Sequence, residues 1–221
     1  IMPLVLFDLD GTLVDSAPDL CASLNRIRRS ENLAPLPYNV LREYAGSGAR
    51  GLLKIGFDIT DQDPRFPELK ERFLSDYQNH CAEKVCCFDG IEQTLEEIEN
   101  AGWQWGVVTN KFSNFTIPIM KKLGLYDRAC VIISGDETGK LKPHPDNMLV
   151  ALHKMHALPQ ETPYVGDDIR DSKVAQTLGM PFAAAAWGYL RQDFPIDEWH
   201  THLVAHHPQE LIGWLKVLPA K

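Results

Sequence analysis

Leu4-Val5-Leu6-Phe7-Asp8-Leu9-Asp10-Gly11-Thr12 joins an unbroken apolar run to a pair of carboxylates. Four apolar residues in a row, without alternation, are the pattern of a strand buried on both faces, as in a parallel sheet covered by helices on each side. Past the end of such a strand Asp8 and Asp10 can converge on one site, and Gly11 lets the backbone turn sharply behind them. Open parallel sheets gather their ligands at the carboxyl ends of the strands. The segment therefore indicates both a fold and the place where chemistry is expected.

Working outward, similar apolar runs recur at Trp105-Gly106-Val107-Val108, Cys130-Val131-Ile132-Ile133, Pro163-Tyr164-Val165 and Pro181-Phe182-Ala183-Ala184-Ala185. Helical spacing lies between them. Ile91, Leu95 and Ile98 follow i, i+4, i+7, with Asp89 as the expected cap and Gly102 as the stop. Met148, Leu152 and Met155 repeat the spacing, and Gly179 closes a further helix that begins near Asp171. Alternating strand and helix predict an α/β fold, a Rossmann-like parallel sheet with helices on its faces. Between Asp15 and Cys87 the rhythm changes. Only helical patterns appear there (Leu20, Leu24, Ile27, then Leu69, Phe73, Tyr77), punctuated by Pro35, Pro37, Pro64 and Pro67. Roughly 70 residues of helix exceed what a crossover connection needs. The expected organisation is a core of residues 1–14 and 88–221 with a helical cap domain, 15–87, inserted into it.

Three more polar clusters fall at ends of the expected strands. Thr109-Asn110-Lys111 offers a hydroxyl and backbone N–H groups, Lys142-Pro143-His144-Pro145 a lysine in a proline-stiffened turn, and Gly166-Asp167-Asp168-Ile169-Arg170-Asp171 three further acids. Each alone is weak; their order and placement together are a strong signal.

The bulk composition sets the surroundings. A chain of 221 residues, 44% hydrophobic and 24% charged, is an ordinary globular protein long enough for a real core. Its net charge of −8, without a Lys/Arg run, argues against nucleic acid or an anionic membrane as partner. An anionic substrate must then be drawn in by local features. No apolar stretch approaches the ~20 residues of a membrane span. Ile1 ahead of Met2 reads as a processing remnant, and the immediate strand argues against a signal peptide. Five cysteines without paired metal spacing fit reduced thiols and a cytoplasmic location.

The four clusters resemble, in order and over essentially the whole chain, the four motifs of the haloacid-dehalogenase superfamily, and the helical insert resembles its cap. Within that superfamily the sequence is similar to the phosphoglycolate phosphatase-type branch. It is also similar to the N-acetylmuramic acid 6-phosphate phosphatases at Gly46-Ser47-Gly48-Ala49-Arg50, Gly106-Val107-Val108-Thr109-Asn110-Lys111 and Trp187-Gly188-Tyr189. The resemblance implies Asp8 as nucleophile, forming an aspartyl-phosphate, and Asp10 as general acid and base. It implies Mg²⁺ on the Asp8 carboxylate, the Asp10 main-chain carbonyl and Asp167, with Asp171 and Asp168 orienting the metal's waters. Thr109 and Lys142, with Asn110 beside them, would hold the phosphoryl oxygens. The dehalogenases lack an acid at the position of Asp10, so the resemblance points to phosphate-ester hydrolysis. The residues agree: a carboxylate attacking a dianionic phosphate needs a cation to neutralise the transferred group, and an all-oxygen donor set suits Mg²⁺. A small-molecule phosphate monoester bearing a carboxylate is the expected substrate. A sugar phosphomutase shares all four motifs and stands as an alternative; oligomeric state is unreadable.

Several features have competing readings. Gly46-Ser47-Gly48-Ala49-Arg50-Gly51 fits the G-x-G-x-x-G pattern, yet it follows a helical-looking stretch where the dinucleotide fingerprint requires a strand. A substrate-facing turn that brings Arg50 to the carboxylate, with Arg42 as a second cation, is the expectation. Lys140 competes with Lys142 as phosphate ligand, and the prolines favour Lys142. His200, His202, His206 and His207 read as surface residues, since they lie near the end of the chain, distant in sequence from the acid clusters and without an obvious carboxylate partner. Trp187 and Tyr189 either line the mouth of the site or pack in the core.

Overall fold

The apolar run Leu4–Phe7 is strand β1, and its side chains are buried on both faces. In the computed structural model, which describes residues 2–218 and so leaves the reading of Ile1 outside, the elements run as follows. They are β1 (Leu4–Phe7), β2 (Val14–Asp15), α1 (Ala17–Ser30), α2 (Tyr38–Leu41), α3 (Gly48–Phe57), α4 (Phe66–His80), β3 (Cys86–Cys87), α5 (Ile91–Asn100), β4 (Gln104–Val108), α6 (Ser113–Lys122), β5 (Ile132–Ile133), α7 (Asp146–Lys154), β6 (Tyr164–Gly166), α8 (Ile169–Leu178), β7 (Phe182–Ala185), β8 (Leu203–Ala205) and α9 (Glu210–Val217). A 3₁₀ turn over Arg42–Ser47 joins α2 to α3.

Six strands form one parallel sheet in the order β5-β4-β1-β6-β7-β8. Its two faces alternate along each strand. Val5, Phe7, Val107 and Val165 share a cluster with Ile91, Leu95 and Ile98 of α5, Ile119 of α6 and Leu211 of α9. Leu4, Leu6, Val108 and Tyr164 pack instead with Met148 and Leu152 of α7 and Val174 of α8. Both faces are thus covered, which is why β1 reads as a continuous apolar run. Chain connection reverses across β1, whose neighbours are β4 on one side and β6 on the other. The register pairs Phe7 with both Val107 and Val165, so the ends of all three strands lie level. Such a reversal opens a crevice at the strands' carboxyl ends.

The structure differs from expectation in detail. The predicted strand over 130–133 shortens to Ile132–Ile133, and β8, unforeseen among the terminal histidines, adds the edge beside β7. Helix α5 is not capped by Asp89; Gly90, at φ +83°, occupies the N-cap. Helix α8 begins at Ile169, with Asp168 as N-cap in a reciprocal capping box with Asp171.

Helices α1 to α4 lie between β2 and β3, which pair antiparallel as Val14 with Cys87 and Asp15 with Cys86. Leu20, Leu24, Leu52, Leu53, Leu69 and Phe73 from α1, α3 and α4 bury against one another. Asp19, itself buried, accepts main-chain N–H bonds from Lys84 (2.8 Å) and Val85 (3.0 Å), fastening α1 to the returning chain. No helix among the described residues is long and apolar enough to cross a membrane.

Candidate active site

The level ends of β1, β4 and β6 deliver Asp8, Thr109 and Asp167 to the same crevice. Asp8 is buried; its Oδ1 accepts from the Leu9 N–H (2.8 Å) and from Lys142 Nζ (3.1 Å). Asp167 Oδ1 accepts from the Thr12 hydroxyl (3.1 Å), and its Oδ2 from the Tyr189 N–H (2.9 Å). Two glycines make this fit possible. A Cβ on Gly11, at φ +78°, or on Gly188 would collide with the Asp167 carboxylate.

Oxygens of Asp8, Asp167 and Asp171 all lie within 4.8 Å of one another. Burial first, and then the neighbouring charge of Asp171, push the Asp8 carboxyl up to about 7 against the opposing pull of Lys142. Burial, with Asp8 and Asp171 beside it, raises Asp167 well above the ordinary carboxylate range. Three crowded acids share one buried ammonium, so the pocket is short of positive charge. Its donors are oxygens only, the set that a hard divalent cation prefers. Asp171 is the most committed of the three, accepting from Lys142 (2.7 Å), Tyr164 (3.1 Å) and the Asp168 N–H (3.2 Å). Asp8 and Asp167 keep coordination capacity toward the crevice, and the residues present fit a metal ion.

Lys142 is buried within hydrogen-bonding distance of Asp8, Asp171, the Val108 carbonyl and the Tyr164 hydroxyl. Burial disfavours its charge, but Asp171 and Asp8 outweigh burial and the net shift is upward. Lys140, the rival, is exposed and 3.6 Å from Asp146. Asn110 spans the loop: its Nδ2 donates to the Lys142 carbonyl (3.2 Å) and its Oδ1 accepts the Lys142 N–H (2.8 Å). Its side chain therefore fixes the lysine turn. Thr109 is buried, with Oγ1 accepting the Lys111 N–H (3.0 Å). Asp168 faces Arg170 through two bonds; burial raises its pKa, but the guanidinium wins and holds it below the usual range.

Asp10 stands on the insert side of this group, where Oδ1 accepts from the Ser16 hydroxyl and from Lys111 Nζ (2.9 Å). Lys111 lies over the Tyr77 ring, 4.8 Å from its centroid. Burial lowers the lysine's pKa, but Asp10 and then Tyr77 more than offset it. In sequence the Lys111 side chain carries no signal beyond its place in Thr109-Asn110-Lys111. Tyr77 is there the last position of an apolar stripe, and nothing in its spacing distinguishes it. Thr12 and Tyr164, which bond Asp167 and Lys142, were equally silent.

Core and insert together enclose a cleft of ≈ 470 Å³. Its floor is the polar group just described; its walls include Leu20, Phe66, Phe73 and Leu74 and the turn from Ala45 to Arg50. Arg50 lines the cleft, but its guanidinium pairs with Asp61 (2.9 Å) and its side chain is 73% exposed. Arg42 stacks on Tyr189 instead. Tyr189 is buried, bonding Asp15 (2.6 Å) and the Ala17 N–H (2.9 Å), and Trp187 donates to the Thr12 carbonyl (2.9 Å). Tyr189 thus ties the core to the start of the insert, and Trp187 steadies the loop that carries Thr12. Among the described residues the histidines join no cluster able to hold a metal.

A family model for haloacid dehalogenase-like hydrolases matches residues 5–185. Over 96% of its length the chain is 36% identical to an N-acetylmuramic acid 6-phosphate phosphatase of Pseudomonas aeruginosa, covering 93% of that protein. It is 38% identical to a phosphoglycolate phosphatase of Xanthomonas campestris pv. campestris, over 94% of this chain and 93% of that one. A crystal structure of a predicted phosphoglycolate phosphatase from Haemophilus somnus aligns with a TM-score of 0.85 at 25% identity, over 96% of this chain and 97% of the other.

Proposed function

The chain belongs to the haloacid dehalogenase-like hydrolase family, and on that premise we propose that it is a Mg²⁺-dependent phosphatase of small, carboxylate-bearing phosphate monoesters. The observation that carries this reading is the pairing of acids on one crevice. Asp8, whose Oδ2 has no hydrogen-bond partner among the described residues, lies in an oxygen cluster fit for a metal, and Asp10 stands beside it. Phosphoglycolate and N-acetylmuramic acid 6-phosphate, the substrates in the relatives' names, both carry a carboxylate.

In this reading Asp8 attacks phosphorus in line; the Asp8–phosphorus bond forms as the bond to the leaving oxygen breaks. Asp10 gives that oxygen a proton, so an alcohol departs. Water then attacks the phosphorus of the aspartyl-phosphate, Asp10 takes the water's proton, and Asp8 is restored as inorganic phosphate leaves. Thr109 and Lys142 hold the phosphoryl oxygens, and Asn110 holds Lys142. Asp8, Asp167 and the Asp10 main-chain carbonyl would hold the metal, supported by Asp171 and Asp168. Bound there, Mg²⁺ supplies the positive charge that offsets repulsion between carboxylate and phosphate. Residues 1–14 and 88–221 act as the core and 15–87 as a cap over the leaving group. The five free thiols suit a cytoplasmic enzyme.

A turnover screen of metabolite phosphates with Mg²⁺ tests the reading. Phosphate release by the wild type, with none from Asp8→Asn, supports it. Turnover that needs a sugar bisphosphate and releases no net phosphate would reassign the chain as a mutase.

A further inference from the structure

Lys111 differs from every other cation on the cleft. Lys142 serves the phosphoryl end of the site, held among Asp8, Asp171, the Val108 carbonyl and the Tyr164 hydroxyl. Arg170 is spent on Asp168 and on the Gly46 carbonyl (2.8 Å). Arg50 is paired with Asp61 in solvent, and Lys70 is exposed. Lys111 Nζ has an 8% exposed side chain and, among the described residues, a single hydrogen-bond acceptor, Asp10 Oδ1 at 2.9 Å. An ammonium carries three donors, so donors remain. Beside it Tyr77, 2% exposed, also lines the cleft, and its hydroxyl has no hydrogen-bond partner among the described residues. Buried polar groups are nearly always hydrogen-bonded in folded proteins. The two stand side by side on one wall of the cleft, Tyr77 near enough to help hold the lysine's charge, and the ammonium's three donors still outnumber its neighbouring acceptors.

We infer that Lys111 and Tyr77 together receive the substrate's carboxylate, one oxygen accepting from Lys111 Nζ and the other from Tyr77 Oη. This rests on the phosphatase reading and narrows it. Lys111 also touches Asp10, the proposed donor to the leaving oxygen. A carboxylate seated on Lys111 therefore lies next to the oxygen that Asp10 serves, and few bonds can separate the two. That requirement fits a 2-phosphoryloxy acid, in which one carbon stands between carboxylate and ester oxygen. It does not fit N-acetylmuramic acid 6-phosphate, whose carboxylate hangs from the far side of the sugar ring. The pair selects substrate; chemistry stays with the acids of the core.

The test is steady-state kinetics with Mg²⁺ on 2-phosphoglycolate, on its uncharged counterpart 2-hydroxyethyl phosphate, and on N-acetylmuramic acid 6-phosphate. Wild type is expected to favour 2-phosphoglycolate over both. Losing a desolvated bond to a charged group changes affinity about ten- to a hundredfold. Lys111→Met should lower the ratio of kcat/KM for 2-phosphoglycolate over 2-hydroxyethyl phosphate by that factor, chiefly through KM. Lys111→Arg should restore part of the ratio, and Tyr77→Phe should reduce it in the same sense. Arg50→Ala should carry the wild-type ratio. If Lys111→Met is inert on both esters, the ratio in Tyr77→Phe decides. Equal losses on charged and uncharged esters would make the pair a support for Asp10 or for the fold and overturn the inference. A ratio that falls in Arg50→Ala alone, or a wild type that prefers the uncharged ester or the sugar phosphate, would also overturn it while leaving the phosphatase reading intact. Turnover of none of the three esters would remove both.

Discussion

At the scale of single residues the site is a balance between crowded acids and the groups that hold them. Asp8→Asn keeps the oxygen that accepts from Leu9 and Lys142 but removes the nucleophile. Turnover should fall by at least about a thousandfold, with a melting temperature in chelator no lower than that of wild type, because one repelling charge has gone. Activity within tenfold of wild type would sink the mechanism. Gly188 permits a second test. A Cβ there would sit under 3 Å from Asp167 Cβ, Asp167 Oδ2 and the Gly11 carbonyl, so the chain must move. Gly188→Ala should cost about 1–3 kcal/mol by overpacking, read from the urea midpoint, and should weaken Mg²⁺ binding measured by calorimetry, since the displaced group is Asp167. Unchanged stability together with unchanged affinity would show that Gly188 does not set the acid's position.

At the scale of elements, the ends of β1, β4 and β6 each contribute one part of the site, and the insert is held in shape by buried polar bonds as well as by apolar packing. Asp19 in the first turn of α1 makes two of these bonds. Asp19→Ala would leave the N–H groups of Lys84 and Val85 without their acceptor. We expect a loss of about 1–3 kcal/mol in urea unfolding, partly recovered in Asp19→Asn, which keeps an acceptor oxygen; a midpoint equal to wild type would show that water replaces the bond. The same scale explains what was readable. Asp8, Thr109, Lys142 and Asp167 could be picked out because each follows or precedes an element with a clear hydrophobic period. Strands β2, β3 and β8 could not: β2 and β3 exist only through their pairing with each other, and β8 is a short edge strand set between histidines. Tyr77 looks like any apolar helix position; only the docking of α4 on the loop after β4 gives it a lysine. Arg50 stood out for its glycines, yet its partner Asp61 was invisible without the fold.

At the scale of the whole molecule, a chain of net charge −8 concentrates three acids in one buried pocket against a single ammonium. Without a bound cation this arrangement opposes folding, since burial and mutual repulsion both penalise the ionised state. A cation that binds the folded chain and not the unfolded one stabilises it by mass action, about 2.7 kcal/mol at a hundred times the dissociation constant. For a chain of 221 residues each kcal/mol moves the melting temperature by about 2–4 °C. Mg²⁺ in that excess should therefore raise the melting temperature of the wild type by about 5–10 °C over the protein in chelator. Asp167→Asn should lose most of the rise, because a charged ligand is gone, while an amide oxygen still accepts from the Tyr189 N–H and the amide nitrogen can donate to the Thr12 hydroxyl. Its own melting temperature in chelator should sit closer to that of the Mg²⁺-bound wild type, because one repelling charge is gone as well. The two effects have opposite signs in the two buffers, which separates loss of a metal ligand from general damage to the fold. A wild type that melts at the same temperature with Mg²⁺ and with chelator would remove the metal from the scheme, whatever the activity measurements gave.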